Sequence, residues 1–581
     1  MSTRFHLLAL LLAASALDVD TASAQVATAI VRVGDAPSGA APGVTVTSIV
    51  NTSPTELGGA LVHLQLSNGH WAFWGSATSL GGAILREQQS GLSGYDPTAM
   101  EMFFGTNDAG AITYSPVVTE LATGTTNLDS VWVDDQPVVV RGQPIPSLPG
   151  RKYDFASRPG LTKNGVLYWS SGIRDIATNA DLGRGIFYGP NATVLWMTGD
   201  PAPAPLTATL DIIGVYFSYR FSRFASHNIA MLSTTDFGIT GLAIAKDGVL
   251  ATDAGGNILR GGDPLSSAAG ALPGETWYDW NALGVNEAGD WMAGGRTVAA
   301  GGGVGVLMRN GVVIRRSGEV IQGLTLTGTV IDPGAFMNDA GDVAYAWGTS
   351  ASGPAVFFDD ALLLKPGDPV DFDGDGIVEP TSLFRNLVGI ASLSLGNDHV
   401  FLAAVVEVNG VNKQCALAIE LPGAARAFCA GDGSGAACPC GNSGAAGRGC
   451  ANSTFASGAR LVAAGTARVA SGVDTLKLTA TEIPGPGLFF QGSGTFGGGL
   501  GIPFGDGLLC AGGSIVRLGV VFPSGNEASF PGGLTPSPIH VAGAVAAGDV
   551  RHYQCWYRDA AAFCASATYN LTPGLTLTWA P

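Results

Sequence analysis

Charged side chains are scarce in this chain: 29 Lys and Arg and 46 Asp and Glu among 581 residues, 13% in all. The balance is acidic, with a net charge of −17. A phosphate backbone would be repelled, so nucleic acid is excluded as a partner. Cysteine is missing until Cys415, and all eight lie between there and Cys564. No run approaches the ~20 consecutive apolar residues of a transmembrane helix. H-E-x-x-H, G-x-S-x-G and G-x-x-x-x-G-K-[ST] are all absent, which removes the motif-bearing zinc proteases, serine hydrolases and P-loop enzymes. The histidines His63, His70, His227, His399, His540 and His552 fall in no metal-ligand spacing.

What the chain has in excess is glycine and proline: 85 and 32 residues, roughly a fifth of the total. Without a G-X-Y period this is not collagen, and the many apolar strand-like runs argue against disorder. Numerous short strands joined by tight turns need this composition. At the start, Arg4, the apolar stretch Leu7 to Leu17 and the small residues Ala22-Ser23-Ala24 make residues 1–24 a secretory leader cleaved before Gln25. The mature protein is therefore expected to be secreted or at the cell surface or in the periplasm.

Strands ending in a Gly-Asp-Pro-like turn recur along the chain. Their marks are Asp35, Gln89, Gln143, Asp200, Asp263, Glu319 and Asp368, at a period of roughly 55 residues, the sign of a repeat architecture. A second mark precedes each of these strands, clearest in NDAGAITY (107–114), NEAGDWMA (286–293) and NDAGDVAY (338–345). There Asn and Asp hydrogen-bond their own backbone and Gly takes the positive-φ position. Each unit then holds about four strands. Seven such units predict an all-β, seven-bladed β-propeller over 25–421. The last unit lacks its closing strand, and ATAIVRVGD at the mature N-terminus would supply it by pairing with CALAIEL. A stacked β-solenoid is the alternative.

The three clear Asn-x-x-Gly elements resemble the N-x-x-G-x-x-A-F repeat of bacterial exported tandem-repeat proteins, over about 26–421. The resemblance implies a secreted repeat protein and transfers no catalytic residues.

Residues 422–453 read as a Gly/Cys-rich linker, and 454–581 as a β-sandwich of short strands. Cys438-Pro-Cys440 has one residue between its thiols, which fits a zinc knuckle poorly; an exported chain favours disulfides. The disulfide candidates are Cys429, Cys438, Cys440, Cys450, Cys510, Cys555 and Cys564. The expectation is that the first four pair among themselves and that Cys510 meets Cys564 or Cys555, leaving Cys415 as the odd one. The string CAGDGSGAACPCGNSGAAGRGCANS with YQCWYRDAAAFC and NLTPGLTLTW also resembles a C-terminal module of secreted environmental-bacterial proteins. That resemblance implies a sorting, attachment or protective role. Cys555 departs from its pattern.

Three constellations could carry chemistry. In VDFDGDGIVEP, Asp371, Asp373 and Asp375 occupy positions 1, 3 and 5 of an EF-hand-like loop, with Glu379 at position 9 and Ser382 where the bidentate Glu would stand. The candidate cofactor is one structural Ca2+; the competing reading is a solvated acidic turn. Second, the propeller would place Asp35, Asp200, Asp263, Glu319 and Asp368 on one face as an acidic ring for a cation or basic partner. Asp before Pro, however, also simply starts a turn. Third, Trp71, Trp74, Trp169, Trp277, Trp280 and Trp347 suit either a carbohydrate platform or packing between blades, and packing is the commoner role. The sequence thus points to an exported, non-catalytic binding or surface protein whose partner is an extracellular glycan or protein. An extracellular glycan-active hydrolase or lyase is the alternative.

Overall fold

The computed structural model describes residues 26–579 apart from 56–58, 77–79, 108–109, 212–218, 236–241, 339–340, 352, 360, 389–392, 397–398, 422–424, 446, 465–466, 470–475, 533–536, 547, 562 and 564. The leader and Cys564 thus lie outside the described residues.

Up to Glu420 the chain forms seven antiparallel sheets in chain order. The first runs Val46–Pro54, Ala60–Leu66, Trp71–Gly75 and Ala83–Glu87. The second to sixth repeat this meander and open with Tyr95–Thr106, Arg151–Leu161, Tyr219–Phe221, Thr276–Val285 and Leu324–Met337. In the seventh, Glu379–Leu387 and Leu393–Leu395 share the opening position, both pairing with His399–Val408, and Val411–Glu420 follows. Its outer strand comes from the other end of the sequence. Ala27–Arg32 pairs antiparallel with Val411–Glu420, Ala27 opposite Ile419 and Arg32 opposite Cys415.

Turn chemistry explains the regularity. Hairpins close on Asp247-Gly248, Asn310-Gly311 and Asn409-Gly410, each pair at positive φ, the geometry that matches the twist of two antiparallel strands. Six of the Gly-Asp-Pro-like turns carry a glycine at φ between +89° and +97°, among them Gly34, Gly262 and Gly367. Each of those three donates its N–H across to the next sheet's opening strand at 2.8 Å, to Val46, Trp277 and Phe384 respectively. A side chain at that φ is strained, so the repeat keeps Gly there.

Between the sheets lie seven apolar clusters, one per neighbouring pair. Trp71 and Phe73 of the first sheet meet Tyr114 and Trp132 of the second, and Met292 and Leu307 of the fifth meet Trp347 and Phe357 of the sixth. Phe401 and Ala416 of the seventh sheet pack with Val46 and Val62 of the first. All six tryptophans weighed as a carbohydrate platform are buried, none more than 7% exposed. They are packing residues.

Beyond Glu420 two sheets face each other across another core. One is six-stranded, with Arg426–Phe428, Gly574–Thr578, Val550–Arg558, Gly487–Gly492 and Val516–Val521 in that order. The other holds Arg460–Ala464, Lys477–Thr481 and Glu527–Phe530. Leu461, Leu478, Phe489, Phe530, Tyr553 and Tyr557 share the core. Among the described residues, no strand pairing joins this part to the seven sheets.

Two expectations about this region are corrected. Cys429 pairs with Cys510, 81 residues away, and not within the local group; Cys438 pairs with Cys450. Cys440 is also disulfide-bonded, whereas Cys555, like Cys415, is a buried free thiol. The reason is placement: Cys555 sits mid-strand with its side chain in the sandwich core, while Cys510 follows a short hairpin that lies against the Cys429 segment. The Gly/Cys-rich stretch is consequently no free linker. Its strand Arg426–Phe428 joins the six-stranded sheet, its disulfide reaches Cys510, and Asn442 donates to the carbonyl of Asp506 at 2.9 Å.

Candidate functional site

In every sheet the opening position ends at the Asn-x-x-Gly turn or its substitute. The end residues are Thr55, Asn107, Thr162, Ser222, Asn286, Asn338 and Gly396. In each, the backbone N–H donates across the turn, as from Asn107 to Ala111 at 3.2 Å and from Asn338 to Asp342 at 3.1 Å. The side chain closes the same turn from the other side. Ala111, Asp290 and Asp342 each donate their N–H at 2.9 Å to the amide oxygen of Asn107, Asn286 and Asn338. Thr162 and Ser222 do this with hydroxyls, accepting from Val166 at 2.9 Å and His227 at 3.0 Å. The repeat's Asn is thus a turn former, as its chemistry suggests.

These ends converge. A cavity of about 220 Å³ is lined by residues from the opening strands, or the turns after them, of all seven sheets, including Thr55, Asn107, Thr162, Ser222, Asn338 and Gly396. A second lobe of about 210 Å³ adjoins it and shares Pro54, Thr106, Leu161 and Tyr168. It is lined further by Asn51, Thr52, Ser394, Arg158 and Arg220. Among the described residues, neither lobe is lined by Asp, Glu or His. Burial pushes the phenols of Tyr168 and Tyr219 above their ordinary pKa, so both stay protonated donors. Tyr219 Oη donates to the carbonyl of Arg158 at 2.7 Å. The polar groups on offer are amides, hydroxyls, phenols and cations, which suit recognition by hydrogen bonding.

The candidate calcium loop lies elsewhere, at the seam between the sixth and seventh sheets. Ligand oxygens of Asp371, Asp373, Asp375 and Glu379 all fall within 4.8 Å of one another, about twice a ~2.4 Å Ca–O bond. Asp371 is fully buried and accepts from Gly374 at 2.7 Å and Gly376 at 3.0 Å; Glu379 accepts from Phe372 at 2.8 Å. The donor set, four carboxylates converging from one loop, fits a hard cation. The loop also touches the N-terminal strand: Ala29 donates to the Asp371 carbonyl at 2.8 Å, and Arg32 Nη1 to the Phe372 carbonyl at 2.9 Å.

The acidic-ring residues stand at the opposite ends of the opening strands from the cavity lobe at Thr55, Asn107 and Asn338. Three carboxylates close their own turns: Asp35 accepts from Arg32 N at 2.9 Å, Asp200 from Met197 N at 2.8 Å and Asp368 from Lys365 N at 2.9 Å. Gln143 does the same with its amide, accepting from Val140 N at 3.1 Å. Asp263 and Glu319 occupy the equivalent position by backbone, donating to Arg260 and Arg316 carbonyls. The cavity was missed in the sequence because its residues are single positions spaced a whole repeat apart. The one available signal was that every Asn-x-x-Gly mark ends an opening strand.

No protein-family model and no curated protein sequence matches the chain. Among solved structures it is similar to the polysaccharide lyase Uly1, at 9% identity and a TM-score of 0.32, over 68% of this chain and 99% of that one. It is also similar to an exo-β-1,3-galactanase from Phanerochaete chrysosporium, at 9% identity and a TM-score of 0.18, over 74% and 100%. A GH43 glycoside hydrolase aligns at 11% identity and a TM-score of 0.19, over 96% and 95%. The activities in those names belong to those proteins.

Proposed function

We propose that the chain is an exported, seven-bladed β-propeller that binds an extracellular glycan in its central cavity without turning it over. The β-sandwich that follows would serve attachment or protection. The carrying observation is the convergence of all seven opening strands on one cavity lined by amides, hydroxyls and cations. Pairing of Ala27–Arg32 with Val411–Glu420, and the seven clusters between neighbouring sheets, support ring closure. The amides, hydroxyls and phenols of the described lining suit hydrogen bonding to a glycan, which supports the binding reading.

A glycan array probed with the purified mature protein, followed by mass spectrometry of the retained glycan, tests this reading. Retention of an intact glycan is expected. Release of shortened or unsaturated products would replace binding with catalysis, and no retention of any glycan would leave a purely structural role.

The four-carboxylate loop is proposed to hold one structural Ca2+, on the strength of its converging oxygens. Isothermal titration with Ca2+ should give heat that the Asp373→Asn variant loses.

A further inference from the structure

The chain carries 46 acidic against 29 basic residues, yet every described charged residue lining the central cavity is a cation: Arg158, Lys163, Arg220 and Arg223. All four belong to the third and fourth sheets, which are neighbours. Lys163 N–H donates to the Arg223 carbonyl at 2.7 Å, tying the two turns together. Tyr219 bridges the strands behind them: its hydroxyl donates to the carbonyl of Arg158 at 2.7 Å, and its own carbonyl accepts from Arg220 Nη1 at 2.9 Å. Aromatic faces hold the cations. The Arg158 guanidinium lies 4.7 Å from the Phe103 ring centroid, and Lys163 and Arg223 lie 5.2 and 5.4 Å from that of Phe224. The acid beside them, Glu287, is engaged by the backbone N–H of Phe224 and by the hydroxyls of Ser222 and Ser226, and its carboxyl is held below the ordinary range.

The facing wall has different chemistry. The first and seventh sheets contribute Asn51, Thr52, Ser53 and Ser394, with Thr52 Oγ1 and Ser394 Oγ 3.0 Å apart. Tyr168 and Phe221, stacked at 4.6 Å between centroids, contribute an apolar surface. A ligand that satisfies all three needs an anionic group, several hydroxyls and an apolar ring face. The two lobes together fall in the several-hundred-Å³ range of small-molecule sites.

We infer that the cavity takes an anionic saccharide, its carboxylate or sulfate against the Arg158–Arg220 wall and its hydroxyls toward Thr52 and Ser394. The inference rests on the reading that this cavity binds glycan, and it adds the charge class. Guanidinium groups match planar carboxylates and sulfates better than point charges do. Salt screens the repulsion from the acidic remainder of the molecule beyond ~8 Å at physiological ionic strength, while a contact at the cavity wall is shorter than that length and is screened less.

Calorimetry on the full mature chain tests this with four probes: an oligouronate, a sulfated oligosaccharide, a neutral oligosaccharide of equal length, and sodium sulfate. At least one acidic saccharide should bind at least ~10-fold more tightly than the neutral one, and the first two probes tell uronate from sulfate ester. Arg220→Gln should weaken that binding by ~10-fold or more, the loss of one charge-assisted contact. Arg158→Gln, on the neighbouring sheet of the same lobe, gives a second variant if Arg220→Gln fails to fold. Equal affinity for neutral and acidic saccharides, or variants that bind as the parent does, overturns the charge class alone. Sulfate ion bound as tightly as the acidic saccharide overturns it too, leaving only an anion site. No binding of any saccharide removes the glycan reading itself.

Discussion

His63 is enclosed at 2% exposure, with the Phe73 and Phe104 rings 5.4 and 6.0 Å away and, among the described residues, no hydrogen-bond partner for either ring nitrogen. Burial without a partner disfavours the imidazolium and lowers its pKa from 6.5 to about 4. The unfolded chain binds this proton near pH 6.5 and the folded chain only near 4. Between those values the unfolded state carries more protons, so stability is complete above about pH 6.5 and declines as the pH falls toward 4. The difference amounts to about 3 kcal/mol. His63→Leu should remove most of this acid sensitivity, read as a flatter plot of denaturation midpoint against pH from 7 to 4; an unchanged slope would refute it. Residues of this kind were only half legible. His63 stood in a strand-like run of the sequence, but burial on all sides is set by the second sheet packing over it. The six tryptophans were legible as packing residues because aromatic side chains in strands usually face a neighbour.

Turns and loops are the elements where local sequence and local structure agree best. Asp35, Asp200 and Asp368 each close a turn three residues long on their own backbone, so their geometry needs nothing distant. The loop from Asp371 to Glu379 is similar in its internal bonds but not in its setting, because it leans on a strand some 340 residues earlier in the chain. Ca2+ bound there would stabilise the folded form over the unfolded one, by about 2.7 kcal/mol at a hundredfold excess over Kd. Addition of Ca2+ to the metal-free protein should therefore raise the thermal midpoint, and Asp373→Asn should abolish the rise. A midpoint indifferent to Ca2+ and to chelator would leave the loop as an acidic turn.

At the scale of the molecule, the pairing of Ala27–Arg32 with Val411–Glu420 joins the two ends of the 27–420 segment. Ala27 and Ala29 of the first strand are buried against the sixth and seventh sheets, and Val31, beyond a register shift, against the first and seventh. Deleting residues 26–33 would remove them and leave the edge of Val411–Glu420 unpaired, which invites pairing between molecules. A loss on the order of several kcal/mol is expected, with dimers or larger species in size-exclusion chromatography. A deletion variant that stays monomeric with an unchanged midpoint would show that the ring does not depend on this strand. The C-terminal part has its own core and its own disulfides. Two buried free thiols, one in each part, complete the cysteine inventory of the described residues.

The sequence by itself determined the periodic features: seven marks, about four strands per unit, glycine at six of the seven Gly-Asp-Pro-like turns and a candidate strand at each end. These follow from short-range physics, since turn dihedrals and alternating burial are written within a few residues of one another. Only the tertiary structure decided which partner each cysteine finds and what the strand ends face. Disulfide partners depend on Cα separations across the fold, here 5.8 Å between Cys429 and Cys510, which no spacing in the chain encodes. The cavity's cationic wall is likewise built from Arg158 and Arg220, 62 residues apart, and forms only because two neighbouring sheets bring their opening strands together.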